Sequence, residues 1–273
     1  MSPRHGFTTR SIHAGEAPDP TTGAHGVPIY QNATYAFHTY EQLEAARSGL
    51  APHFFYARDG NPTVRCLEVK LADLEGAQAA VATATGMAAV SATLLHLLAG
   101  GGHLVASADV YAVTRAFLRD DLPCHGAAVT LVDASDVAAV EEAITPATRA
   151  IYCEAFSNPA LRVADLGALA ALARRRGLKL VVDNTFLSPA LCRPLEHGAD
   201  VVIHSATKYL SGHGQILGGV VCGSRDIVAP IARTVSRLGG AMSAFAAWTL
   251  LAGVKTLPLR MREHSANAAR LAA

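Results

Sequence analysis

The chain has 273 residues, 51% of them hydrophobic and 16% charged, with a formal net charge of +1. A chain of this length buries roughly three quarters of its unfolded surface, as one large domain or two smaller ones. The near-neutral charge, without a basic run or basic–aromatic interleaving, argues against nucleic acid as a partner, and five scattered cysteines with no C-x-x-C argue against a disulfide framework or zinc knuckle.

Residues 1 to about 60 are rich in Pro, Gly, Thr and His and read as an extended arm with one short helix near Glu41 to Arg47. No apolar signal region follows the first residues, so a cytoplasmic location is expected. From Pro62 a helical pattern (Val64, Leu67, Leu71, Leu74) stops at Gly76. Candidate strands then follow at 79–83, 103–107, 127–132, 149–154, 178–182, 200–203 and 217–222, with candidate helices at 86–99, 112–120, 136–144, 165–176 and 225–237. This alternation predicts an α/β fold, a mainly parallel sheet covered by helices on both faces. The apolar stretch 77–105 is interrupted by Thr, Gly and His, which favours strand–turn–helix over a membrane span. A helical stretch from about Ser243 breaks near Gly253 and Pro258 and is still running at Ala273, where a continuation is expected.

In open α/β sheets ligands sit at the carboxyl ends of strands, and several chemistry-bearing residues are predicted there. The chain has four lysines against 19 arginines, so each lysine can be weighed. Lys70 and Lys179 fit solvated positions. Lys208 follows the apolar strand Val201–Ile203 among Ser205 and Thr207, and is expected to lose solvent there, which favours the neutral amine needed for a Schiff base. The neighbouring hydroxyls suit a phosphate, and together they read as a site for pyridoxal 5'-phosphate (PLP). Asp183 closes the run Leu178–Asp183, where it serves either to pair with a protonated pyridine nitrogen or as a turn or N-cap residue. Thr85-Gly86-Met87 is either an anion site at a helix start or an ordinary strand-to-helix turn. Tyr111 either stacks on a planar cofactor or is a partly buried core residue. Gly212-His-Gly214 to Gly218 lacks dinucleotide-loop spacing, and His204 and His213 lack metal-ligand spacing, so no metal is expected. His204 reads as a hydrogen-bonded strand-end histidine. No G-x-S-x-G or P-loop is present.

With these residues in view, the chain resembles the Cys/Met metabolism PLP-dependent enzymes, a family that includes cystathionine γ-synthase and γ-lyase, methionine γ-lyase and the O-acylhomoserine sulfhydrylases. The resemblance runs from about Phe7 to Ala273. It is carried by Ile12-His-Ala-Gly15, Pro28-Ile-Tyr30, Tyr56-Ala-Arg58, Asn61-Pro-Thr63, Leu74-Glu-Gly76, Thr85-Gly-Met87, Ser157-Asn-Pro159, Val182-Asp-Asn-Thr185 and, most specifically, His204 to His213. Departures are Ala112 and Val113 where glycines usually follow the tyrosine, Phe156 in place of a proline, and Ala244 in place of another.

The resemblance implies a PLP-dependent transferase fold of type I. It divides the chain into an arm (1–60) contacting a neighbouring subunit, a PLP-binding large domain (61–240) and the helical start of a truncated C-terminal domain (241–273). It implies that Lys208 binds PLP covalently and shuttles protons, that Asp183 holds the pyridine nitrogen, and that Asn158 lies by the ring hydroxyl. Gly86, Met87, Ser205 and Thr207 would bind the phosphate, Tyr111 would stack on the ring, and Tyr56 and Arg58 would reach the phosphate of a neighbouring subunit. A dimer of shared sites, commonly a tetramer, follows. The implied activity is γ-elimination or γ-replacement on a small sulfur amino acid or homoserine derivative. Tyr56, Thr145 to Thr148 and Ser205 to Gly214 lean toward methionine γ-lyase, and Gln215 to Val221 lean toward the sulfhydrylases. The alternative of another class is a catalytically impaired PLP-binding remnant or assembly partner, because the family's carboxylate-binding arginine lies beyond the position matching Ala273.

Overall fold

The computed structural model describes residues 5–48 and 54–273; residues 1–4 and 49–53 of the expected arm lie outside the described residues. In chain order the elements are α1 (Phe7–His13), α2 (Tyr40–Arg47), α3 (Pro62–Glu75), β1 (Ala79–Thr83), α4 (Gly86–Leu97), β2 (Gly102–Ser107), α5 (Ala112–Ala116), β3 (Ala127–Val132) and α6 (Val137–Glu142). They continue with β4 (Thr148–Glu154), α7 (Leu166–Arg176), β5 (Lys179–Asp183), α8 (Ser188–Leu191), β6 (Val201–His204), β7 (Gly219–Gly223), α9 (Arg225–Leu238), α10 (Ala244–Lys255) and α11 (Leu257–Ala272).

Sequence chemistry sets the boundaries. Asn61 caps α3 by accepting the Thr63 and Val64 N–H groups, Pro62 occupies the first turn, and Gly76 ends the helix in the left-handed region. The strands are apolar runs, and Val181, Val182, Val201–Ile203 and Val220–Cys222 are fully buried, as strands covered on both faces must be.

Among the described residues seven strands form one sheet, ordered β1-β7-β6-β5-β4-β2-β3. From β3 to β6 neighbours are parallel, while β7 runs antiparallel to both β6 and β1. The expected mainly parallel sheet therefore holds, with β7 as its one reversed strand. Leu67, Leu71 and Leu74 of α3, Leu169 and Leu172 of α7, and Leu250, Leu251 and Val254 of α10 pack one face. Val90 and Leu94 of α4 with Ile231 and Val235 of α9 pack the other. Burial of these aliphatic side chains, about 1.5–3 kcal/mol each, is the main favourable contribution to the fold.

The arm departs from expectation. Besides α2 it carries α1, which packs on α3, and beneath it Lys70 is completely buried rather than solvated. Lys70 Nζ donates to the carbonyls of Ser11 (3.0 Å) and Ile12 (2.8 Å) and pairs with Glu16 Oε1 at 3.0 Å. Glu16 Oε2 in turn pairs with Lys255 of α10 at 2.8 Å. Gly15 enables the crossing: its φ is +73°, and a Cβ there would fall 2.6 Å from the Cys66 carbonyl oxygen. Helix spacing puts Lys70 on α3, but only the arm laid across it removes its solvent.

Candidate active site

At the carboxyl ends of β4, β5 and β6, and above the start of α4, lies a cavity of about 260 Å³, close to the lower end of the range for small-ligand sites, roughly 300–1,000 Å³. Eight residues singled out by the sequence line it: Gly86, Met87, Tyr111, Asn158, Asp183, Ser205, Thr207 and Lys208. Tyr56 and Arg58 do not. They lie exposed on the arm, with the Arg58 guanidinium 4.9 Å over the Tyr56 ring.

Each wall has a local cause. Thr85 caps α4, its hydroxyl accepting the Ala88 N–H at 3.0 Å, so the free N–H groups of the first turn open on the cavity. Gly86 lets that turn close on the β6 loop, since a Cβ there would sit 2.8 Å from Ser205 Cβ. Thr207 Oγ1 accepts the Gly218 N–H at 3.0 Å, tying the lysine loop to the approach of β7. His204 is the expected bonded histidine, its Nε2 2.5 Å from Glu75 Oε1.

Asp183 stands in a turn at the end of β5. Its Oδ1 accepts the Thr185 N–H (3.0 Å) and hydroxyl (2.5 Å), a turn arrangement. Among the described residues its Oδ2 has only the Tyr152 hydroxyl, at a long 3.4 Å, and so retains acceptor capacity for a ligand. Enclosure raises the Asp183 carboxyl above the usual range, opposed by the Thr185 hydrogen bonds and by His204. Tyr111 is 44% exposed and lines the cavity, which settles it as a wall residue rather than a core tyrosine.

Lys208 is exposed, not withdrawn from solvent as the sequence suggested. The strand before it is buried, but the chain turns out of the sheet after His204 and carries Lys208 to the cavity rim. What distinguishes it is the lack of commitment. Lys70, Lys179 and Lys255 are all ion-paired, whereas the Lys208 amine has no hydrogen-bond or ion-pair partner among the described residues.

Sequence reasoning missed two contributors. Thr185 bridges the strand ends, donating to Asp183 and accepting the Ser205 N–H at 2.8 Å. Glu154, at the end of β4, accepts the Tyr111 N–H on Oε1 (2.7 Å) and the Asn158 N–H on Oε2 (2.8 Å). Burial, with the neighbouring Asp183 charge, pushes its carboxyl up to about 7 against those two hydrogen bonds. The available signal was a carboxylate closing an apolar strand, the same signal that marked Asp183.

The sequence model of the Cys/Met metabolism PLP-dependent enzymes matches residues 8–273. The chain belongs to this family. As a Cys/Met metabolism enzyme its cofactor is PLP, and the site fits it: an uncommitted amine, a half-buried carboxylate with one weakly engaged oxygen, and a helix start facing two hydroxyl-bearing residues. The chain is 45% identical over 269 residues to an L-methionine gamma-lyase of Pseudomonas putida, covering 98% of this chain and 68% of that protein. It is 41% identical over 266 residues to an O-succinylhomoserine sulfhydrylase of Pseudomonas aeruginosa, covering 97% and 66%. The crystal structure of cystathionine gamma-lyase from Lactobacillus plantarum, complexed with L-serine, superposes with a TM-score of 0.91 at 39% identity, covering 98% of this chain and 68% of that one. No helix among the described residues is long and apolar enough to cross a membrane.

Proposed function

We propose that the chain carries out γ-elimination or γ-replacement on a sulfur amino acid or homoserine derivative, with elimination from methionine the preferred reading. The observation that carries it is the uncommitted Lys208 amine sharing one cavity with the Asp183 carboxylate. The name of the 45% identical relative favours the lyase side, and that of the 41% identical relative supports the sulfhydrylase as the second reading.

When bound, PLP supplies an electron sink for carbanions beside the substrate's amino group. The rest falls to this chain's side chains. Lys208 anchors the cofactor and, as an amine on a flexible stem at the rim, carries protons between substrate carbons. Asp183 holds the ring nitrogen through its free oxygen. Asn158 sits beside the ring hydroxyl, and Tyr111 covers the ring and assists the departing γ-substituent. Gly86, Met87, Ser205 and Thr207 hold the phosphate at the start of α4, where N–H groups and the helix dipole favour an anion. Tyr56 and Arg58, outside their own chain's cavity, reach the phosphate of a neighbouring subunit, so a working site takes at least a dimer. In the same reading, residues 1–60 are the arm making that contact, 61–240 the PLP-binding domain, and 241–273 the start of the next.

Adding PLP to the purified chain is expected to give a visible absorption band removed by borohydride, with no band in Lys208→Ala. A band that survives Lys208→Ala overturns the assignment. Methionine and, separately, an acylhomoserine with sulfide divide the two activities: turnover only in the second case replaces the lyase with the sulfhydrylase.

A further inference from the structure

Glu154 lines the cavity, and two further parts of the cavity wall are tied to its carboxylate. The segment after β2 carries Tyr111, and the segment after β4 carries Asn158. Sheet hydrogen bonds reach only one residue past each strand, from the Ala108 N–H to Val132 and from the Ala155 N–H to Asp183, and stop short of Tyr111 and Asn158. The Tyr111 N–H has Glu154 Oε1 as its acceptor, and the Asn158 N–H has Glu154 Oε2. One carboxylate thus uses one oxygen on each segment, at 2.7 and 2.8 Å, both within the short range of charge-assisted bonds. Glu154 as a residue is 7% exposed, so both contacts are largely shielded from water. A second tie lies behind it: Arg162 Nε pairs with Asp109 at 3.2 Å, and the Arg162 N–H donates to Ser157 Oγ at 3.0 Å, which joins the same two segments farther from the cavity.

The position is poorly suited to a carboxylate unless the geometry requires one. Glu154 faces Asp183 directly across the parallel β4–β5 pairing, so two acidic side chains share one end of the sheet. A neutral residue would avoid that repulsion and the cost of burial. Glutamine, the neutral isostere, has a single acceptor oxygen and sets an NH2 donor against the second N–H. Only a carboxylate receives both.

We propose that Glu154 is a positioning residue that sets Tyr111 and Asn158 at a fixed separation across the PLP ring, acting through their backbones. This rests on the PLP site described above and adds to it a residue that acts through the backbones of two others. Its removal leaves Lys208, Asp183 and the α4 turn in place, so PLP still binds covalently but less tightly and with its ring less firmly held.

The test is PLP binding by the full chain and by Glu154→Gln, read as dissociation constant and as visible circular dichroism of the bound cofactor, with far-ultraviolet circular dichroism of the cofactor-free chains as the fold control. Glu154→Gln is expected to weaken PLP binding at least tenfold and to change the visible dichroism, with the far-ultraviolet spectrum unchanged. Equal affinity and an identical visible spectrum overturn the proposal. If Glu154→Gln does not fold, hydrogen exchange of the unsubstituted, cofactor-free chain decides: both the Tyr111 and Asn158 amides are expected to be protected, and rapid exchange of either overturns it. A chain that gives no borohydride-sensitive band at all overturns the PLP reading itself, and this proposal with it, whereas a normal band with an indifferent Glu154→Gln removes this proposal alone.

Discussion

Two regions that enclose charge, beneath the N-terminal arm and at the cavity floor, treat it in opposite ways. Under the arm, Lys70 is enclosed with Glu16, two carbonyl oxygens and the nearby Lys255, so every charge has an opposite or a dipole within hydrogen-bond reach. At the cavity, Glu154 and Asp183 are partners on adjacent strands, both acidic, and neither forms an ion pair among the described residues. A neutralised cluster stabilises structure, while uncompensated charge in a cleft marks a place kept ready for a ligand. The lysine that sequence would bury, Lys208, is exposed at the site, and one of the two it would solvate, Lys70, is the structural one.

That contrast can be tested from its strongest side first. Lys70→Met removes the cation while the arm still covers Glu16. Breaking a buried pair costs about 3–5 kcal/mol, and because Lys255 keeps one Glu16 oxygen engaged, a loss of about 3 kcal/mol in urea unfolding is expected. A loss below about 1 kcal/mol would make the arm cluster no more structural than a surface pair.

The cavity is expected to respond to pH in the direction set by its raised carboxylate. Glu154 binds its proton more tightly in the folded chain than in the unfolded one, about 7 against an ordinary 4.5. The stabilisation from that proton is therefore present below the ordinary value and lost as pH rises to about 7, amounting to roughly 3 kcal/mol. Exposed carboxylates such as Asp133 and Glu141, held low by their hydrogen bonds, contribute with the opposite sign at lower pH. The comparison of the cofactor-free chain with Glu154→Gln isolates the Glu154 share. Between pH 5 and 8 the unsubstituted chain should lose more stability than the variant, and parallel curves would remove the contrast.

The smallest effect belongs to Lys179, paired with Asp200 at 2.9 Å but about half exposed. Lys179→Met is expected to change unfolding free energy by less than about 1 kcal/mol. A larger loss would blur the distinction between a surface pair and the cluster under the arm.

Much of this was legible in the sequence because the relevant forces are local. Apolar runs of Val, Ala and Ile bounded by Gly and Asp locate all seven strands, and Asn61-Pro62 with Gly76 brackets α3. Thr85-Gly86, Asp183 and Lys208 converge because α/β topology brings strand ends together. What escaped depends on contacts made across the chain. The α1 helix is short, and its buried side exists only against α3, α10 and α11, distant in sequence. The reversal of β7 is invisible in an apolar run that reads the same in either direction. The exposure of Lys208 follows from where its loop leaves the sheet. Glu154 looked like any strand-end acid, since the two N–H groups it receives come from segments 43 residues before it and four after.

The reversed strand also bears on how the chain is made. β1 occupies one edge of the sheet, and its backbone partners all come late: Ala79 pairs with Gly223, Thr83 with Gly219, and beyond the strand Ala84 donates to Gly240. As the polypeptide emerges from the ribosome, β1 is synthesised first of the seven strands and is the one that waits longest for a neighbour. Its Ala-Ala-Val-Ala-Thr backbone stays an open edge until β7 appears. The sheet cannot grow from its first strand outward, and closure of the Thr85-Gly86 turn onto the Lys208 loop waits until about 120 further residues have been made, leaving a long nascent interval in which β1 is open to pairing with other chains.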